Sequence, residues 1–204
     1  VIHIEFDEHH ALEDAQKIVR LAIDNFENRG AEVMIPSQKS PIVAGFGVES
    51  IEYHLGGTFR GSYYTLNDNI INGRIRGIAG VVGCNNARGR HNEAHIDLVK
   101  ELIKNDVIVL TTGCNGIACA MEGLLTPESA KVFCGPGLAE VCETVGIPPV
   151  LSMGSCVDNS RILLAATEVV KAGGLGKDIS ELPAAGSAPE WMSEKAISIG
   201  HYFV

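Results

Sequence analysis

The 204 residues are 46% hydrophobic and 20% charged, enough to bury a core without disulfides or structural zinc, as one large domain or two small ones. A net charge of -9 argues against nucleic acid as a partner, which calls for a basic stripe. No run of about 18 apolar residues is present to span a bilayer, and Glu5 and Asp7 interrupt any secretory leader at the start.

Residues 1–6, VIHIEF, read as a strand. From 11 to 28, Ile18, Val19, Ala22 and Phe26 recur at helical spacing, and Gly30 closes that helix. Pro36 and Pro41 punctuate 31–46, and 48–56 suit a short helix. Residues 57–75, rich in Gly, Asn and Tyr, give no clear periodicity. From Gly77 the pattern is regular. GIAGVVG predicts a strand, HNEAHIDLVKELIKND a helix, VIVLTTG a strand and NGIACAMEGLL a helix. A helix over 137–146 precedes a PPVLSMG strand and the helix VDNSRILLAATEVVKAGG, which glycines end. ELPAAG suits a further strand and PEWMSEKAISIGHYFV a last helix. This alternation predicts the α/β class, with a parallel sheet covered by helices on both faces. The chain opens on Val1 and stops at GHYFV within a helical pattern, so a longer parent polypeptide is expected.

Three cysteines repeat one structural position. Cys84 ends GIAGVVGC, Cys114 ends VIVLTTGC and Cys156 ends PPVLSMGSC, each just past a strand. The first spacing approximates one strand–helix–strand unit, and the second leaves room for that unit plus a further short helix. Ligands of parallel α/β sheets bind at the carboxyl ends of the strands. There the start of a following helix favours negative charge and lowers a thiol pKa. Soft thiolates suit iron–sulfur clusters, zinc, copper(I) or nickel, and spacing does not choose among them. Core packing is the competing reading of any single cysteine. Repetition at three equivalent turns favours ligation, as does an α/β chain with six cysteines, which reads as reduced thiols in a cytoplasmic protein. Cys119 and Cys142 fall inside helices and read as core filler; Cys134 lies near a turn.

The remaining candidates are weaker. His9 and His10 suit a solvated helix start, and His91 and His95, four apart, suit a surface face. His3, His54 and His201 carry no motif. Lys195 sits on an otherwise apolar helix, as a surface lysine or as a cation that gives a proton or holds an oxyanion. Asp158 and Asn159 suit a helix cap. No GxGxxG follows a strand, and neither a P-loop nor a Gly-x-Ser-x-Gly elbow occurs.

HIEFDE, AGVVGCNN, DVIVLTTGC, GIPPVLSMGSCVDNSR and APEWMSEKA together closely resemble the nickel-containing carbon monoxide dehydrogenases of anaerobic bacteria and archaea, over essentially the whole chain. The resemblance implies two consecutive Rossmann-like domains, here 1–75 and 76–204, from the middle and end of a longer subunit. It implies a Ni-4Fe-4S cluster that interconverts CO and water with CO2, protons and electrons. Cys84 and Cys114 would hold cubane irons and Cys156 nickel. Lys195 would be the catalytic lysine, and Ile199 part of the apolar wall over nickel. The other ligands, one His and two Cys, would lie upstream of Val1, so these 204 residues alone are expected to be inactive and metal-poor. A ferredoxin-like electron acceptor, a homodimer and an acetyl-CoA synthase partner are the implied assemblies. A hybrid-cluster protein of the hydroxylamine reductase type is the second enzyme reading, and a non-catalytic α/β structural or interaction module is the third.

Overall fold

The computed structural model describes residues 2–30, 33–191 and 197–198. The chain divides into two compact units, Val1–Lys39 and Ser40–Val204.

In the first unit, helix α1 (Ala11–Asp24) runs into a 3-10 turn, Phe26–Arg29. Glu13 and Asp14 sit in its first turn, where negative charge complements the helix dipole. Residues 2–6, expected as a strand, form none. An extended segment becomes a strand only when a neighbour takes its N–H and C=O groups, and no strand is described in this unit.

The second unit opens with α2 (Val48–Leu55) and α3 (Tyr64–Ile71). Helix α3 lies in the stretch that gave no periodicity. Its anchor is a polar residue: the buried Asn67 amide donates to the carbonyls of Val169 and Gly173, both at 2.8 Å. Tertiary bonding overrides the weak helix propensity of asparagine here.

Then follow β1 (Gly77–Val81), α4 (Glu93–Lys104), β2 (Val107–Thr112), α5 (Gly113–Met121), α6 (Ser129–Phe133), α7 (Pro136–Val145), β3 (Val150–Gly154), α8 (Asn159–Ala172) and β4 (Ala184–Ser187). A 3-10 turn, Cys156–Asp158, leads into α8. Among the described residues the four strands form one sheet in the order β3-β2-β1-β4, every pair parallel. This is the expected α/β class. Strand β2 is buried from Ile108 to Thr112, the continuous run typical of a parallel sheet covered on both faces. Helices α4 and α5 pack on the sheet, and α8 packs against β3 together with α2 and α3. Val81, Val109, Val150, Leu151, Val99 and Ile103 form the middle of the core. Each such side chain contributes about 1.5–3 kcal/mol by leaving water.

Two boundaries move. The helix expected from His91 starts at Glu93, because Asn92 adopts a left-handed φ of 67°. The helix expected over 115–125 spans Gly113–Met121 instead. The helix expected over 189–204, with Lys195 and Ile199, lies largely outside the described residues. Among the described residues no helix is long and apolar enough to cross a membrane.

Candidate metal centre

The order of the strands reverses between β1 and β4, and the carboxyl edge beside that reversal is where α/β sheets bind ligands. All three strand-end cysteines stand on this edge. Cys84 lies just beyond β1 and is exposed. Cys114 lies in the first turn of α5 and is half-buried. Cys156 opens the 3-10 turn after β3 and is exposed.

The turns carrying Cys114 and Cys156 touch. Gly113 has a left-handed φ of 58°, and a methyl group there would lie 3.4 Å from Cys156 Cβ. The Thr112 hydroxyl donates to the Asn159 side-chain oxygen, tying the end of β2 to the start of α8. Asp158 holds the Cys156 turn. Its Oδ2 accepts from the Ser155 N–H at 2.9 Å and the Ser155 hydroxyl at 3.2 Å. Its Oδ1 accepts from Arg161 Nε at 3.0 Å. The Ser155 N–H, the largest influence, helps hold the Asp158 carboxyl below the usual carboxylate range. Asp158, expected to cap the long helix, instead closes a capping box on the preceding 3-10 turn, and as N-cap residue of α8 it makes no side-chain cap hydrogen bond there. Asn159 bonds across to the β2 end rather than capping its own helix.

Cys84 differs from the expected pattern. Residues 85–92 separate it from α4, so no helix N-terminus adjoins it. A helix start adjoins Cys114, and a 3-10 turn into α8 carries Cys156, while Cys84 has neither. Among the described residues, no three His, Cys, Asp or Glu side chains group closely enough to hold one metal ion. The fold thus joins the Cys114 and Cys156 turns and places Cys84 on the same edge, without closing three thiols around a single point.

The other cysteines are of another kind. Burial, with Glu122 nearby, pushes the Cys119 thiol up to about 12. Burial, with Asp106 nearby, pushes Cys134 up to about 12. Burial likewise pushes Cys142 up. Such thiols stay protonated at neutral pH, whereas a metal ligand must be a thiolate. Cysteine sulfur is a soft donor, so the three strand-end thiols on the edge suit ligation of iron or nickel.

Sequence reasoning missed three residues near the edge. His95, expected on a surface face, is fully buried, while His91 is exposed. The signal was present: His95, Val99 and Ile103 recur every four residues and share the buried face of α4. Glu190 is 7% exposed just after β4, and Trp191 packs over Gly83. An acidic residue following a strand offers no periodicity by which to find it. Lys195 and Ile199 lie outside the described residues.

The sequence profile of the Prismane/CO dehydrogenase family matches residues 1–204. Carbon monoxide dehydrogenase 1 of Methanosarcina mazei is 56% identical over 204 residues, covering 100% of this chain and 31% of that protein. Carbon monoxide dehydrogenase 1 of Carboxydothermus hydrogenoformans is 43% identical over 212 residues, covering 99% of this chain and 33% of its own. Among solved structures, the as-isolated, nickel-free carbon monoxide dehydrogenase of Thermococcus sp. AM4 superposes with a TM-score of 0.83 at 54% identity, over 100% of this chain and 31% of that one. An acetyl-CoA synthase/carbon monoxide dehydrogenase described with NiZn[Fe4S4] and NiNi[Fe4S4] clusters in its alpha subunits gives a TM-score of 0.83 at 35% identity, over 98% of this chain and 31% of the matched one. The chain spans about a third of the length of these relatives. On a match that runs from its first residue to its last, this chain belongs to the Prismane/CO dehydrogenase family.

Proposed function

We propose that Cys84, Cys114 and Cys156 are thiolate ligands to a nickel–iron–sulfur cluster, and that these residues serve a carbon monoxide dehydrogenase. The observation that carries this reading is the division of the cysteines: on one sheet edge Cys84 and Cys156 are exposed and Cys114 half-buried, while Cys119 and Cys142 are buried in the core. Thiolates that each bind a different metal atom of a multi-metal cluster need not meet at one point, which suits the spread of the three turns.

Cys114 and Cys84 are assigned to iron and Cys156 to nickel. When bound, the cluster supplies the two-electron chemistry that interconverts CO and water with CO2, two protons and two electrons. Cys114 is carried on the first turn of α5, and Cys156 on the 3-10 turn that leads into α8. The Asp158 cap fixes the backbone on which Cys156 is carried. Lys195 would donate a hydrogen bond to an oxygen of CO2 and move protons at its Nζ. Ile199 is assigned to keep water from the CO side. The rest of the ligand set comes from the part of the parent's length that this chain does not span. An acceptor of the ferredoxin type, a homodimer, an acetyl-CoA synthase partner and a cytoplasmic setting complete the proposal. One relative is named as the beta subunit of carbon monoxide dehydrogenase/acetyl-CoA synthase, from Moorella thermoacetica.

Nickel and iron assays on the full-length protein, purified without oxygen, test the assignment. Cys156→Ala is expected to lose nickel and CO oxidation together while retaining most of its iron. Nickel retained at the parent's stoichiometry would refute the role of Cys156. A full-length protein with iron, sulfide and hydroxylamine reductase activity but no nickel would point to the hybrid-cluster reading instead.

A further inference from the structure

We infer that Glu190 and His95 are positioning residues that fix the backbone of the Cys84 turn on the sheet edge. The inference rests on Cys84 being a cluster ligand, as proposed above.

Cys84 is the strand-end cysteine without an adjoining helix start. A ligand on a long connection must be held by something else, since a loose loop gives up entropy each time it binds. The residues around it are held one after another. A methyl group at Gly83 would lie 2.5 Å from the Trp191 Nε1, so only glycine lets the indole sit there. The Cys84 carbonyl faces His95 Nε2 at 3.3 Å. A carbonyl only accepts, so Nε2 carries the proton in this pair. The Asn85 side-chain oxygen accepts from the Asn92 N–H at 3.0 Å. The Asn86 N–H donates to Glu190 Oε2 at 2.8 Å.

Two of these anchors come from outside the connection and are buried. His95 is 0% exposed on α4, and Glu190 is 7% exposed just after β4. Placing a carboxylate and an imidazole out of water is costly unless each has a definite bond to make. For Glu190 that bond, within the described residues, is the one to the Cys84 turn; its Oε1 has no hydrogen-bond partner there. For His95 it is the Cys84 carbonyl, and Nδ1 has no hydrogen-bond partner among the described residues. Both side chains therefore spend their burial on the same few residues. Glu190 also joins the ends of β1 and β4, the neighbouring strands at which the sheet order reverses.

Iron retention in the metal-loaded full-length protein tests this. The rate at which a chelator strips iron is compared with the melting temperature for Glu190→Ala, His95→Leu and the conservative Glu190→Gln and His95→Gln. Each conservative variant keeps a group that can remake the bond. Loss of a buried hydrogen bond to the ligand turn is expected to speed iron loss roughly tenfold in Glu190→Ala and His95→Leu. The two glutamine variants should return most of the way to the parent rate. Leu151→Ala, a core change on β3 that touches neither hydrogen bond, should lower the melting temperature without changing iron loss. Iron loss within about twofold of the parent in both disruptive variants overturns the inference, as does an equal acceleration in Leu151→Ala. Should Glu190→Ala fail to fold, the pair His95→Leu and His95→Gln decides the matter alone. A full-length parent that binds no iron overturns the cluster assignment itself, and this inference with it, which separates the two failures.

Discussion

The sheet edge and the sheet body contain the same residue in two states. Cys84 and Cys156 on the edge are exposed and Cys114 is half-buried. Cys119 and Cys142 in the body are fully buried, and their thiols are pushed up by desolvation. Residue type alone does not distinguish them. What distinguishes them is whether the backbone leaves the strand and turns at that point, exposing sulfur to an incoming metal, or continues a helix against the core. Cysteine count is therefore a poor guide to metal capacity in this chain, and cysteine position a good one.

The largest effect that separates the two regions is on metal content. In the full-length protein Cys114→Ala is expected to lose most cluster iron with little change in unfolding free energy. Cys142→Ala should retain iron and lose about 1–2 kcal/mol, since truncation in a packed core leaves a small cavity. Iron assay and urea denaturation measure both. Equal iron loss in the two variants would break the distinction.

Glycine substitutions sharpen it further. Gly113 and Gly146 have left-handed φ values of 58° and 76°. Gly146 has open space where a Cβ would go, while Gly113 faces Cys156. Gly113→Ala and Gly146→Ala should each cost about 1–2 kcal/mol for the backbone conformation. Only Gly113→Ala should also reduce nickel content, because its methyl group meets the turn that carries Cys156. Matching nickel content in the two variants would show that contact to be inert.

The body of this fold was largely readable from the chain and the edge only partly. From Gly77 to Ser187, strands and helical stretches follow one another as the apolar runs predict, since burial on both faces of a parallel sheet writes itself as continuous apolar stretches. The first strand was misread because VIHIEF has strand composition but no described partner, and composition does not supply one. Helix α3 was missed because its anchor, Asn67, bonds to residues about a hundred positions away. The three edge cysteines were legible through repetition. His95 was legible in its four-residue spacing and was outweighed by the expectation that histidines face water. Glu190 was not legible, because its partner is the backbone N–H of Asn86, which every non-proline residue has.

Alkaline pH gives a smaller contrast. Cys119 moves from an ordinary value of 9.0 to about 12 in the folded chain. A group whose folded value is raised contributes stability below the unfolded value and loses it as pH rises toward the folded one. The melting temperature should therefore fall as pH is taken above 9, and Cys119→Ala should flatten that fall. An unchanged slope in the variant would show that the buried thiol takes no part.

The smallest expected effect lies at the Asp158 cap of the Cys156 turn, and its sign is opposite. Hydrogen bonds from Ser155, chiefly its N–H, and the nearby Arg161 hold the Asp158 carboxyl below its ordinary 3.8. A lowered group contributes stability above the unfolded value and loses it as pH falls through the folded one. Asp158→Ala should therefore lower the melting temperature slightly at neutral pH, and the gap from the parent should narrow as the pH drops below 3.8. A gap that stays constant would assign the loss to the missing side-chain packing rather than to the charged cap. Because Asp158 is only half-buried, added salt should shrink its contribution while leaving the alkaline behaviour of buried Cys119 almost unchanged.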